Sequence, residues 1–183
     1  MIKLRRLKEQ DLQTRVDWMN NPKIYETMHF TPPITIEKTL EWFQNNKGNV
    51  SRIDLVVEEE GFILAMDGLT GIDNIIRKGE SYTMVNPEHK SKGIGTKTLF
   101  LKSIYAFEVA GVKKIWAFID GDNIASIKMC EKIGYKVEGV LRNEILRDGV
   151  LIDRMYMGCL EEDLKKELFN YRIENDEIFL FED

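Results

Sequence analysis

The sequence predicts a mixed α+β domain built around a mostly antiparallel sheet. Three features carry that reading. Three β-rich runs, "RIDLVVEE", "GFILAMDGLTGID" and "ESYTMVN", follow one another with only short turns between them. A glycine-rich corner, "EHKSKGIGTKTL", leads from the third of these runs into a helical pattern. Near the end, "YKVEGVLRNEIL" and "LIDRMYMGCL" flank an Arg147-Asp148-Gly149 turn and read as a hairpin.

The remaining elements fall into place around these. "IKLRRL" alternates apolar and basic residues like a short strand, and "EQDLQTRVDWMNN" follows as a helix stopped by Asn20, Asn21 and Pro22. A short segment, "KIYETMHF", leads to Pro32-Pro33, after which Thr35 is placed to cap the helix "IEKTLEWFQNN". Beyond the glycine corner, "TKTLFLKSIYAFEVAG" is apolar on more than one face and reads as a buried helix ending at Gly111. "KKIWAFID" is then a buried strand, and "NIASIKMCEKIG" a helix with Asn123 as N-cap and Gly134 as its stop. An acidic helix and an aromatic-acidic tail are expected over 161–183, behind a core of about 2–160, all in a single domain.

Composition bounds the function. The chain has 183 residues, 43% hydrophobic and 31% charged, which suits one globular domain with a sizeable core. Its net charge of −5 supplies no basic field for a nucleic-acid backbone, so nucleic acid is excluded as a partner. The start "MIKLRRLKEQD" is charged where a signal peptide is apolar, and no apolar run approaches a membrane span; a cytoplasmic protein without membrane partners is expected. Two cysteines, Cys130 and Cys159, make neither a disulfide framework nor a zinc site, and no metal is expected.

The glycine corner carries the chemistry. A nucleotide P-loop needs four residues between its first glycine and Gly-Lys-Ser/Thr, whereas Gly93 and Gly95 are followed by Thr96-Lys97-Thr98. A dinucleotide fingerprint needs a further glycine where Thr98 stands. What remains is a strand, a basic Gly-x-Gly turn and a helix N-terminus, a generic cradle for a pyrophosphate, with a plain strand-to-helix corner ringed by solvated lysines as the alternative.

The succession "VNPEHKSKGIGT" and, about thirty residues later, "NIASIKMCEKIGY" resembles the two motifs of the GNAT superfamily of acetyl-CoA-dependent N-acetyltransferases. "VEGVLRNEILRDGVLIDRMYM" looks like the hairpin of the branch that holds ribosomal-protein, polyamine and amino-sugar acetyltransferases. The resemblance implies a twisted, mostly antiparallel sheet of six to seven strands with helices on both faces, splayed at an acetyl-CoA cleft. It places the diphosphate of coenzyme A on the N–H groups of Lys92, Gly93, Ile94, Gly95 and Thr96, with Lys90 at the position usually held by Gln or Arg. The pantetheine arm is implied to run along Met84 and Val85 and past Asn123 and Ser126, two residues that helix rules alone explain as a cap and a solvated position. Glu80 matches a recurrent glutamate of the branch and is the candidate general base, its other reading being an exposed turn carboxylate. Cys130 stands where many members place a tyrosine acid; it is the candidate proton donor, or else a small core residue. The implied reaction is acetyl transfer by direct attack of the primary amine of a small molecule, a polyamine or an amino sugar. The alternatives are a protein N-terminal acetyltransferase and a coenzyme-A-binding sensor without turnover. The opening "DWMNNP" looks more like amino-sugar enzymes, whose anionic substrates need basic side chains such as Arg5, Arg6 or Arg52 nearby. The tail "NDEIFLFED" could dock on its own sheet or on a second copy in a homodimer.

Overall fold

A computed structural model describes residues 1–89 and 93–181. Its strands are β1 (Ile2–Arg6), β2 (Ile53–Glu59), β3 (Phe62–Thr70), β4 (Lys78–Val85), β5 (Lys114–Asp120), β6 (Lys136–Arg147), β7 (Val150–Leu160), β8 (Asn170–Glu174) and β9 (Glu177–Phe181). They form one sheet in the order β6-β7-β5-β4-β3-β2-β1-β9-β8. Every neighbouring pair is antiparallel except β4 and β5. The short turns explain the local pairing: Glu60-Gly61 and Asp148-Gly149 take positive φ, which turns a chain back on itself in two residues.

The helices are α1 (Leu12–Met19), α2 (Pro22–Met28), α3 (Ile36–Asn45), α4 (Ile94–Ile104) and α5 (Ile124–Ile133). "KIYETM" is thus a helix in its own right: the Asn21 side chain accepts from Lys23 N–H and Pro22 occupies the first turn. Thr35 caps α3 through Lys38 N–H as its spacing predicts. Leu12, Trp18 and Ile24 of α1 and α2 pack with Val56, Met66 and Met84 on one face of the sheet. Leu99, Leu101 and Ile104 of α4 pack with Ile133 of α5 and with Leu4, Leu55 and Ile115 on the opposite face.

The last segment departs from expectation. Where an acidic helix followed by a tail is expected over 161–183, the chain makes two single 3-10 turns, Glu161–Asp163 and Lys166–Leu168, and then the hairpin β8–β9, which pairs with β1. The tail accordingly docks on its own sheet and brings the strand count to nine. It also explains why α4 is apolar on more than one face and buried throughout from Thr98 to Ile104. Phe169 and Tyr171 lie edge-on to Phe100, with ring centroids 4.9 and 5.7 Å away, and cover the side of α4 that the sheet leaves open. Taking a side chain the size of Phe100 fully out of water stabilises by roughly 1.5–3 kcal/mol.

Candidate active site

Strands β4 and β5 stay together for three residue pairs, from Lys78 opposite Lys114 to Glu80 opposite Trp116. Past that point β4 continues to Val85 paired only with β3, and β5 continues to Asp120 paired only with β7. The sheet therefore parts at Ser81, and one edge of β4 is left with backbone groups available to a ligand. A cavity of about 450 Å³ opens at this notch. Side chains from both faces of the sheet line it: Arg15, His29 and Arg52 from the α1–α3 side, and Asn123, Ser126 and Cys130 from α5.

The glycine corner lies where β4 hands over to α4. Gly93 has φ 87°, in the left-handed region, and stands as N-cap of α4, so the first N–H groups of that helix face outward. Gly95 lets α5 pack closely: a Cβ there would lie 2.8 Å from the Met129 sulfur, which would have to shift. Ile94 turns its side chain into the core and Thr96 occupies the first turn. Lys90 and Lys92 lie outside the described residues. Met84 is buried among the α1–α3 residues and Val85 packs on the opposite core, so each can meet a ligand in the notch only through its backbone.

Glu80 is half-buried on the cavity wall, at the last paired position before the notch. Burial raises its pKa above the ordinary carboxylate value, and the nearby charge of Arg154 partly opposes this. Cys130 also reaches the wall but is only 3% exposed, and burial pushes its thiol up to about 11. Asn123 Oδ1 accepts from Ser126 N–H at 3.2 Å, so Asn123 caps α5 while both residues face the cavity. His29 Nε2 lies 3.4 Å from Asp120 Oδ2, and the same carboxylate meets Arg154 Nε at 3.2 Å and Arg147.

Of the basic residues named for an anionic acceptor, only Arg52 lines this cavity. Arg5 is held in the interior by Asp11 and Glu58, and Arg6 lies over the Tyr105 ring. In their place stands Arg15, which the sequence reading passed over. Its guanidinium lies 4.7 Å from the Trp42 ring centroid and that of Arg52 lies 4.8 Å from it, so one indole is within cation–π reach of both. Arg52 is neutralised bidentately by Asp54, which also accepts from the Tyr82 hydroxyl at 2.5 Å. Arg15 is 6% exposed, and its Nη1 has no hydrogen-bond partner among the described residues.

A second unforeseen group lies behind β4. Lys102 of α4, with no exposed surface, donates to Asp67 Oδ1 at 2.8 Å, Ser81 Oγ at 2.5 Å and Thr83 Oγ1 at 3.0 Å. No group of three or more His, Cys, Asp or Glu residues suited to a metal occurs among the described residues.

The profile of the acetyltransferase (GNAT) domain family matches residues 2–136. This chain belongs to the GNAT acetyltransferases. Its relatives among curated proteins include the spermidine N(1)-acetyltransferase of Escherichia coli K12, 26% identical over 81% of this enzyme and 80% of that one. The spermidine N(1)-acetyltransferase of Vibrio cholerae is 27% identical over 85% of this enzyme and 92% of its own length. Among solved structures, a Vibrio cholerae spermidine N-acetyltransferase in complex with CoA and spermine superposes with a TM-score of 0.82 at 23% identity, covering 88% of this enzyme and 96% of that chain. The fold class read from the sequence is that of this family, with nine strands in place of six to seven.

Proposed function

We propose that the enzyme transfers the acetyl group of acetyl-CoA to the primary amine of a small molecule by direct attack. The observation that carries this reading is the notch at Ser81. It opens to both faces of the sheet, with Glu80 at its closed end and the N-terminus of α4 beyond the end of β4. In this reading the carrier's diphosphate sits on the N–H groups of Gly93, Ile94, Gly95 and Thr96, with Lys90 and Lys92 adding charge. The pantetheine arm runs along the backbone of Met84 and Val85, past Asn123 and Ser126. Glu80, directly or through a water, takes the proton of the acceptor's ammonium, and the freed nitrogen attacks the thioester carbon. Its raised pKa makes it a stronger base than an ordinary carboxylate. The C–S bond then breaks, with its electron pair leaving on sulfur. Cys130 could meet that sulfur only as a neutral thiol, a weak donor.

For the acceptor, the spermidine-acetylating relatives favour a polyamine. The unpaired Arg15 Nη1 beside Arg52 favours a second reading, an amino sugar carrying a phosphate or carboxylate. A panel of polyamines, phosphorylated and nucleotide-linked amino sugars, and a peptide with a free N-terminus decides among them. One class gains the mass of an acetyl group with equimolar release of free CoA. Arg15→Gln raises KM for anionic amino sugars and leaves polyamines untouched if the second reading holds. CoA binding without acetylation of any acceptor would leave a sensor in place of an enzyme. A Vibrio cholerae relative is dodecameric. The exposed apolar residues Val140, Leu141 and Leu146 on β6 support self-association of this chain as well, a homodimer being the smallest such unit.

A further inference from the structure

The buried lysine behind β4 has no part in the mechanism above, yet its contacts end at the notch. A lysine ammonium has three N–H donors and no acceptor. Those of Lys102 are taken by Asp67 Oδ1, Ser81 Oγ and Thr83 Oγ1, with the Tyr82 carbonyl at a longer 3.4 Å. Thr83 in turn donates its hydroxyl hydrogen bond to Asp67 Oδ1 at 2.9 Å. Ser81 is different. Its oxygen accepts from Lys102, its own hydroxyl proton has no acceptor among the described residues, and it stands on the cavity wall.

We propose that Ser81 is a catalytic residue whose hydroxyl donates a hydrogen bond to the sulfur as it departs, and that Lys102 is the positioning residue that polarises it. An oxygen that accepts a charge-assisted bond donates its own proton more strongly, the more so away from water. The location fits the task, on the reading that acetyl-CoA fills the notch. A carrier anchored at the outer end of the gap brings its thioester to the closed end, where Ser81 is the first residue past the last β4–β5 pair. Successive residues of a strand point to opposite faces. Glu80 therefore faces the α1–α3 side, from which the amine arrives, and Ser81 faces α4 and α5. Base and donor are neighbours in sequence yet act on opposite sides of the breaking bond. One ammonium proton goes to Glu80 before attack and the second leaves the nitrogen to solvent as the tetrahedral intermediate collapses; the C–S electron pair goes to sulfur, and the thiolate accepts the Ser81 hydrogen bond until solvent protonates it.

The test reads the thiol of bound CoA itself and needs no acceptor. Thiolate absorbance is titrated in the binary complex and corrected by the same protein without CoA. The charged and titratable groups around Ser81 are Lys102 from α4, Asp67 from β3, Cys130 from α5, Arg154 from β7 and Glu80 beside it. Ser81→Ala raises the pKa of the bound thiol by about one unit, a tenfold fall in the thiolate ratio at a given pH. Ser81→Thr, which keeps the hydroxyl, holds it near the wild-type value. Lys102→Met combined with Asp67→Asn raises it as Ser81→Ala does, although neither residue meets the ligand; if that double variant does not fold, the Ala and Thr comparison decides alone. CoA bound with calorimetric affinity intact and a thiol pKa identical in wild type and Ser81→Ala would overturn this proposal and leave the acetyl-CoA reading standing. Failure of the wild-type protein to bind CoA would overturn both.

Discussion

Replacing Lys102 by Met keeps most of the side-chain volume and removes one charge from the pair with Asp67. Both partners are fully buried, with nitrogen and oxygen 2.8 Å apart. At an effective dielectric constant of about 20 such charges attract by about 6 kcal/mol, and the cost of taking both from water offsets much of it. Removing one partner deletes the attraction and keeps the desolvation of the other, which costs about 3–5 kcal/mol. For a chain of this size that lowers Tm by roughly 6–20 °C. The pH dependence carries a sign. Burial already holds the Asp67 carboxyl above its unfolded value, and the charge of Lys102 is the largest influence opposing it. A carboxyl raised in the folded state favours folding most below its unfolded pKa, and that advantage is lost as pH rises through the folded value. Without Lys102 the folded value climbs further, so Lys102→Met loses most stability near neutral pH and less in acid. Urea unfolding of Lys102→Met, Asp67→Asn and the double variant at pH 5 and pH 7.5 measures this, and the double variant recovers much of the loss. A single-variant loss below about 1 kcal/mol, or one equal at both pH values, would refute the reasoning.

Two further outcomes follow from the site. Because Glu80 is raised, the acid limb of kcat/KM lies above the ordinary carboxylate range and activity falls as pH drops through it. Glu80→Gln lowers kcat/KM by about 10²–10⁴-fold, most just above the acid limb, where the carboxylate is ionised and the amine still protonated, and least where the free amine is plentiful, so a loss equal across that range would remove Glu80 from the base role. Cys130, with its thiol pushed up to about 11 and closed off by packing, resists iodoacetamide near neutral pH in the native protein and reacts promptly in urea. Equal rates in the two states would disprove its burial.

What the sequence discloses and what it hides have physical causes. The α4 and α5 helices are legible because their signals are local: Gly93 with positive φ at one start, Asn123 capping the other, and Gly134 with φ 117° at its end. The tail misleads for a local reason too. "LEEDLKKEL" is rich in helix formers, and that propensity outweighs the alternation of "NYRIE" and "EIFLF" about an Asn175-Asp176 turn. Both turn residues have positive φ, the signature of a tight hairpin, and Asn-Asp at that place is the signal that could have shown it. The Lys102 group is hidden for another cause. A lysine inside "LFLKSIY" looks like a side chain reaching for water, and its partners come from β3 and β4, 35 and 21 positions away. Only the packing of α4 across those strands brings them together. Arg15 stays concealed likewise, since Trp42 and Tyr82 reach it from separate elements.

The two margins of the nine-stranded sheet differ in character. β8 presents Asn170, Arg172 and Glu174 outward, polar groups that discourage another strand from adding on, whereas β6 bares valines and leucines along the opposite border. Among the described residues, a sheet that bares its apolar strand at one border can join a twin about a two-fold axis, which covers that border in both copies. A pairing of that kind leaves no bare β6 border for a third copy to extend strand by strand.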